Sequence, residues 1–207
     1  VWGPVQSSPD KVRPSDLLAW YDASDLSTVH ENAGCSDTAE DGDTVLCWQD
    51  KANSNDLNTT GLTGPSVDFD GQHGMPTLYF DGSENLCIAS FSGLSGDDPY
   101  TVFMAIEWEE ATSSVSPIEY GTGANGATIR IDIDGPDGWI RHSNQSTNYN
   151  LDYPEWEDYH EEMNILRFRH SGGSNGTGNK RLAMNGYQIL TTDSTACLLY
   201  TSPSPRD

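Results

Sequence analysis

Apolar and polar residues alternate along much of the chain with a period of two, the spacing of a strand with one exposed face. The clearest case is residues 127–134 (ATIRIDID), where isoleucines predicted to face inward alternate with charged residues predicted to face outward. Residues 101–108 (TVFMAIEW) are apolar on both faces, which predicts a central strand covered on both sides. Helical periodicity is nearly absent. The pattern therefore predicts an all-β chain.

Short Gly- and Asp-rich clusters separate the predicted strands and favour turns. Asn185-Gly186, between the apolar residues 182–184 and 187–189, is the strongest local signal and predicts a two-residue β-hairpin. Many short strands with such turns are typical of a sandwich of two antiparallel sheets. A length of 207 residues suits one domain of this kind, which we expect over residues 15–196. Residues 1–14 contain three prolines and predict an N-terminal linker.

Charge limits the classes of partner. The chain has 32 acidic and 10 basic residues and a formal net charge of -22. This balance disfavours nucleic acid and anionic membrane surfaces, which need clustered Lys and Arg, and favours cations. No apolar run approaches the ~20 residues of a membrane-spanning helix, so we expect no membrane insertion.

Two cysteines, Cys35 and Cys47, bracket a polar stretch that is rich in Gly and Asp. A disulfide between them would close this loop and imply an oxidising compartment. Two reduced thiols remain the alternative. Cys87, in the segment ENLCIAS, is predicted to be a buried, inert thiol.

Several segments, in their order and spacing, resemble the strands of one family. They are residues 17–25 (LLAWYDASD), 45–57 (VLCWQDKANSNDL), 75–82 (MPTLYFDG), 100–108 (YTVFMAIEW), 164–171 (NILRFRHS) and 182–189 (LAMNGYQI). The set resembles the laminin-G-like, concanavalin A-like jelly roll. This resemblance implies a β-sandwich of two antiparallel sheets, in a fold shared by lectins, adhesion modules and a few glycanases.

The last eleven residues, 197–207 (CLLYTSPSPRD), resemble a translated sequencing adapter. We expect them to be an artefact and leave them out of the fold prediction. A natural Pro/Ser-rich linker is the alternative. Nothing after Leu190 resembles the closing strands of the family, so the jelly roll is expected to be missing its last strands.

A glycanase of this fold needs two carboxylates that face each other across a cleft. The nearest runs are residues 107–110 (EWEE) and 155–158 (EWED). The first lacks the central Asp and the third acid that laminarinase-like relatives have, and the second lies in a segment that contains proline. Solvated acids on an acidic surface explain both runs, so we expect no enzymatic activity.

Calcium is a candidate cofactor, because laminin-G-like and lectin domains often bind it at the rim. Asp132, Asp134 and Asp137 would place carboxylates at the end of a strand and around a tight turn. The alternative is a simple Asp/Gly-rich β-turn without a metal.

A second oxygen-rich loop follows the second family segment. We predict a structural turn there, whose side chains bond nearby backbone: Asp50, Asn53, Asn55 and Asp56.

Residues 149–159 (YNLDYPEWEDY) mix aromatic rings with amide and carboxylate groups, as sugar binding requires. The predicted ligand-binding residues are Tyr149, Asn150, Tyr153, Trp156 and Tyr159. The alternative is that Tyr153 and Trp156 fold back to cover the sandwich. Four other tryptophans are predicted to be packed rather than to bind ligand: Trp20, Trp48, Trp108 and Trp139.

Together these features predict a non-catalytic recognition or adhesion module, located outside the cell, on the cell surface or on a virion. Its expected partners are a glycan or cell-surface ligand and the other domains of a larger parent protein. A structural spacer without ligand is the first alternative, and a laminarinase-like glycoside hydrolase is the second.

Overall fold

The structure is a computed structural model of the chain. It describes residues 16–59, 63–89, 91, 93–94, 98–108, 114–120, 129–134, 139–144, 147–152, 162–172 and 180–191. The chain forms two compact units, Val1–Leu94 and Ser95–Asp207. Most of the regular secondary structure among the described residues is antiparallel strand, so the all-β prediction is confirmed. No helix in these described ranges is long and apolar enough to cross a membrane.

The first unit contains short strands joined by structured loops. Its strands are β1 (Val29–His30), β2 (Cys47–Trp48), β3 (Leu57–Asn58), β4 (Ser66–Asp68) and β5 (Thr77–Tyr79). Strands β1, β2 and β3 form one antiparallel sheet in that order, and β4 pairs with β5. Two 3-10 turns, Leu26–Thr28 and Gln72–Gly74, precede β1 and β5.

The core of the first unit is small and built from β-branched and small residues. Its buried members are Val29, Ala39, Val45 and Val67, and the partly buried residues packed against them include Trp48, Phe69 and Leu78. Trp48 is thus packed, as predicted. Gly64 permits a close backbone approach here, because a Cβ at this position would lie 1.8 Å from the carbonyl oxygen of Val45.

The predicted disulfide between Cys35 and Cys47 is present, with 5.5 Å between the two Cα atoms. Cys47 is fully buried in β2, whereas Cys35 lies in the loop that follows β1. The disulfide therefore fastens the Asp-rich loop to the sheet. Cys87 lies outside the disulfide and is half-buried, not buried as predicted, and its backbone bridges to Asn58.

The second unit contains two four-stranded antiparallel sheets. Its strands are β6 (Tyr100–Ile106), β7 (Ser114–Tyr120), β8 (Ile129–Asp134), β9 (Trp139–Asn144), β10 (Thr147–Asp152), β11 (Asn164–His170), β12 (Lys180–Met184) and β13 (Tyr187–Thr191). One sheet has the order β10-β9-β8-β7 and the other the order β13-β12-β11-β6. The chain therefore leaves β6, forms the four-stranded meander, and returns to pair β11 with β6. In β8, β9, β10 and β13 the structure describes the backbone only.

Two local predictions are confirmed in this unit. The alternating stretch at residues 127–134 contains strand β8. Asn185 and Gly186 join β12 to β13, and both adopt positive φ angles, 51° and 85°. A two-residue hairpin turn with two positive φ angles twists in the same sense as its strands, which explains the Asn-Gly sequence.

The prediction that β6 is covered on both faces is wrong. Among the described strands, β6 ends the sheet and pairs with β11 alone. The side chains of Tyr100, Val102 and Met104 are buried or half-buried, but Phe103 is 70% exposed and Ala105 is also exposed. An apolar sequence on both faces of a strand does not determine whether anything covers the second face.

Candidate functional site

The predicted ligand-binding segment lies mostly outside the described residues. Tyr149 and Asn150 are in β10, opposite His142 and Arg141 in β9, where the description is limited to backbone. Three of the predicted residues lie outside the described ranges: Tyr153, Trp156 and Tyr159. The glycan-binding segment therefore stays a prediction.

The predicted calcium cluster is in the same position. Asp132 and Asp134 belong to the backbone-only part of β8, and Asp137 lies outside the described residues. In the described ranges, no group of three or more His, Cys, Asp or Glu side chains is placed to hold a metal ion.

The loop that follows β2 is a structural turn, as predicted, and it is tied to the segment at residues 17–20. The buried carboxylate of Asp50 accepts backbone N–H bonds from Trp20 at 2.8 Å, Ala52 at 2.9 Å and Asn55 at 3.3 Å. The amide groups of Asn53 and Asn55 donate to the carbonyl of Leu18 at 2.9 Å.

The acceptor capacity of Asp50 is thus used by the backbone, as expected for a structural carboxylate. Asp56 also serves the turn, since its Oδ1 accepts the N–H of Asp50 at 2.9 Å. These bonds join the segments at residues 17–25 and 45–57, although some 30 residues separate Trp20 from Asp50 in the sequence.

Lys51 lies between two carboxylates and an aromatic ring beside this turn. Its Nζ is 2.6 Å from Asp25, 3.1 Å from Asp22 and 4.4 Å from the centroid of the Trp20 ring. Burial opposes ionisation of Asp22, but hydrogen bonds from Ser24 and Lys51 hold its pKa below the usual value. The hydrogen bond from Lys51 likewise lowers the pKa of Asp25. Because its charge is paired with two carboxylates, Lys51 is better suited to a structural role than to binding a ligand.

A different surface gathers exposed side chains that have no evident structural task. It is the outer face of strands β6, β11 and β12, which we call the arginine face. Burial alternates along β11, so that Leu166 and Phe168 point into the unit and Arg167 and Arg169 point out. Register extends the outer positions across the sheet: Arg167 lies opposite Phe103, and Arg169 lies opposite Thr101 on one side and Arg181 on the other.

These five residues line an open depression of about 360 Å³: Thr101, Phe103, Arg167, Arg169 and Arg181. The nearby Ile165 is 49% exposed and continues the face toward the other end of β11. In the described part of the chain, no carboxylate forms an ion pair with any of the three guanidinium groups. The arginine face therefore combines an exposed aromatic ring with concentrated positive charge.

The inner side of the same sheet carries a polar row beneath one end of the arginine face. Lys180 and Tyr100 lie opposite His170 in register, and all three residues are buried. The rings of Tyr100 and His170 are 5.3 Å apart. Burial lowers the pKa of Lys180 to about 8 and raises the pKa of Tyr100. Desolvation thus disfavours the charged forms of Lys180 and Tyr100, while the guanidinium groups on the outer face are in contact with solvent.

The outer face combines hydrogen-bond donors with a flat apolar surface. Guanidinium groups donate in a planar fork that matches carboxylate and sulfate oxygens, and an exposed phenyl ring offers a flat apolar surface. Sequence reasoning overlooked this face because it depends on the register of three strands. The alternation of Arg with apolar residues in NILRFRH was the signal that could have indicated it.

Comparison with known proteins finds no matching family model, and no curated protein or solved structure matches the chain. The laminin-G-like resemblance therefore rests on the sequence segments themselves.

Proposed function

We propose that this chain is a non-catalytic recognition module of the laminin-G-like jelly-roll class, which binds carbohydrate outside the cell as part of a larger protein. The observation that carries the proposal is the arginine face, where Phe103 is 70% exposed in the middle of a regular strand. The exposed Ile165 lies on the same face of the neighbouring strand, and exposed apolar surface rimmed by polar side chains often marks a binding site.

Support for the jelly-roll class comes from the turn at Asp50. The first two family segments make reciprocal hydrogen bonds: Trp20 donates its N–H to Asp50, and Lys51 donates its N–H to the carbonyl of Trp20 at 2.8 Å. Two of the segments that carry the resemblance are thus hydrogen-bonded to each other. The order of strands in the second unit, with a four-strand meander between β6 and β11, is compatible with two antiparallel sheets of a sandwich.

Carbohydrate is the favoured ligand because sugar sites pair an aromatic face with polar groups that bond hydroxyls. Phe103 supplies the ring, and Thr101 and Arg167 supply polar groups beside it. The Cys35–Cys47 disulfide supports a location outside the cell, because disulfides form and persist in oxidising environments.

The proposal is tested by binding of the full chain to an array of neutral and charged glycans. Phe103→Ala should weaken binding about tenfold, since losing an aromatic contact costs about 1.4 kcal/mol. Tyr79→Ala is the matched control, because Tyr79 is also an exposed aromatic, 52% accessible, but lies in β5 of the first unit. Equal loss in both variants would place the ligand elsewhere.

Two further arms of the same assay test the sequence predictions. Loss of binding with a chelator would support calcium as a cofactor, and loss with Trp156→Ala would support the segment at residues 149–159 as the ligand face. Absence of binding to every glycan would contradict the proposed function and favour a spacer module.

A further inference from the structure

Arg169 and Arg181 form a like-charge pair on the arginine face. They lie directly opposite each other in the register of β11 and β12, and Arg169 is exposed while Arg181 is half-exposed. Residues in such positions have Cβ atoms about 5 Å apart, and like charges there destabilise the sheet. Arg167, two residues from Arg169 on the same face, brings a third guanidinium close to the pair.

This concentration is notable against the composition of the chain. Only 10 residues are Lys or Arg while 32 are Asp or Glu, and yet three of the ten lie on this one face. The outer positions of β6, β11 and β12 that line the depression include no acidic residue. A ligand that brings negative charge would remove the repulsion, so the face is complementary to an anion.

Phe103 narrows the kind of anion. It lies opposite Arg167, and both side chains line the same depression. A ring-shaped ligand could stack on the phenyl group while its charged substituents reach the guanidinium groups, whose paired donors fit planar carboxylate and tetrahedral sulfate oxygens. A simple inorganic ion would use the arginines and leave Phe103 without a partner.

The net charge of -22 narrows the choice further. Long polyanions such as nucleic acids, with one phosphate per nucleotide, would be repelled by the rest of the acidic protein surface. A short ligand that places a few charges over the arginine face alone would not be repelled. At 0.1 M salt, repulsion between charges more than about 10 Å apart is largely screened, whereas contacts at hydrogen-bond distance persist.

We infer that the arginine face selects anionic oligosaccharides, an inference that rests on the proposed function. A sugar ring of the ligand stacks on Phe103, and its carboxylate or sulfate groups bind Arg167, Arg169 and Arg181. The neutral hydroxyls of the sugar are then secondary contacts. Selectivity comes from the arginines, and the aromatic contact distinguishes a sugar from other anions.

The test uses matched pairs of short oligosaccharides with the full chain. A sulfated dextran tetrasaccharide is compared with the unsulfated one, and tetragalacturonate with its methyl ester, so that the members of each pair share their sugar rings and differ in their charged groups. We expect binding to the charged member of at least one pair and at least about tenfold weaker binding to its neutral partner. Tetraglutamate serves as a short anion without sugar rings and should bind at least about tenfold more weakly.

Arg169→Gln/Arg181→Gln should abolish the preference for the charged oligosaccharide. Its matched control is Arg130→Gln/Arg141→Gln, which removes the same charge from β8 and β9 of the other sheet and should leave the preference intact. Removing the opposed arginines should also keep or raise Tm, since the repulsion is lost, so loss of binding cannot be ascribed to unfolding.

Binding of neutral and charged oligosaccharides with equal affinity would overturn this inference and leave the proposed function standing. Equal binding of tetraglutamate, or equal loss in both double variants, would also overturn it, because nonspecific charge attraction would then explain the data. Failure to bind any glycan would count against both proposals.

Discussion

The side-chain amide of Asn185, in the turn between β12 and β13, donates to the side-chain oxygen of Asn164 at the start of β11, with 2.9 Å between the two atoms. The Oδ1 of Asn185 also accepts the backbone N–H of Ile165 at 2.9 Å, and its own N–H donates to the carbonyl of Ile165. Asn185 thus supplies the positive φ that the turn requires and bonds the neighbouring strand. One residue therefore fixes the register of three strands.

Asn185→Gly should separate these two tasks. Glycine accepts the φ angle of 51°, so the turn is kept while both side-chain hydrogen bonds are lost. We expect the free energy of unfolding to fall by about 1 to 2 kcal/mol, measured by urea denaturation. Asn185→Ala should cost more, because it adds strain at positive φ. Equal values for the two variants would mean that backbone conformation contributes nothing here.

Asp50→Ala should be among the most destabilising substitutions in the first unit. It would leave the N–H groups of Trp20, Ala52 and Asn55 without their acceptor in a site where Asp50 is 7% exposed. Each unsatisfied group costs about 1 kcal/mol or more, so we expect a loss of at least about 3 kcal/mol in denaturant unfolding. Asp70→Ala, which removes the same charge from an exposed position, should change stability by less than about 0.5 kcal/mol.

Reduction of the Cys35–Cys47 disulfide should lower the free energy of unfolding by about 3 kcal/mol, because the unfolded chain regains the freedom of a closed loop with a separation of 12 residues. Thermal unfolding with and without dithiothreitol measures the effect. A double Cys35→Ser/Cys47→Ser variant should match the reduced protein and no longer respond to the reductant, whereas Cys87→Ser should respond as the parent does. Unchanged Tm on reduction would contradict the assigned role.

Lys180 should make stability rise with pH between about 8 and 10. Its pKa is lowered to about 8 in the folded state, so in this range the folded state has released a proton that the unfolded state still holds. The free energy of unfolding therefore increases with pH. Above pH 10, the raised pKa of Tyr100 acts in the opposite direction.

Denaturant unfolding at pH 7, 8, 9 and 10 tests this prediction, with Lys180→Met as the comparison. Methionine has a similar length but no charge to bury, so the variant should lose the rise between pH 8 and 10. A rise of the same size in both proteins would show that another group is responsible.

Features that depend on local chemistry were the ones that the sequence predicted correctly. The turn at Asn185 follows from two adjacent residues with the right φ preferences, and the Cys35–Cys47 pair from a short polar loop. The structural role of Asp50 was also predicted, although the partner at Trp20 was not, because a hydrogen bond over 30 residues leaves no local pattern.

The arginine face could not be predicted for a related reason. Arg169 and Arg181 meet only through the pairing of β11 with β12, and Phe103 lies opposite Arg167 only through the pairing of β11 with β6. Register is set by tertiary packing and is not written in any one strand. The apolar pattern of residues 101–108 likewise does not show where the strand lies in its sheet. It therefore predicts a strand covered on both sides, although Phe103 is exposed.

The pairing of β6 with β11 also determines the order in which this unit can form during synthesis. Ile106 can pair with Asn164 only after the ribosome has synthesised strands β7 to β10, which lie between them in the sequence. At about 5 to 20 residues per second, β6 spends roughly 3 to 12 seconds without β11, the strand that pairs with one of its backbone edges. Until then a seven-residue apolar strand that includes Phe103 is open to pairing with a neighbouring nascent chain. Yield in expression should therefore depend on how fast ribosomes translate the meander.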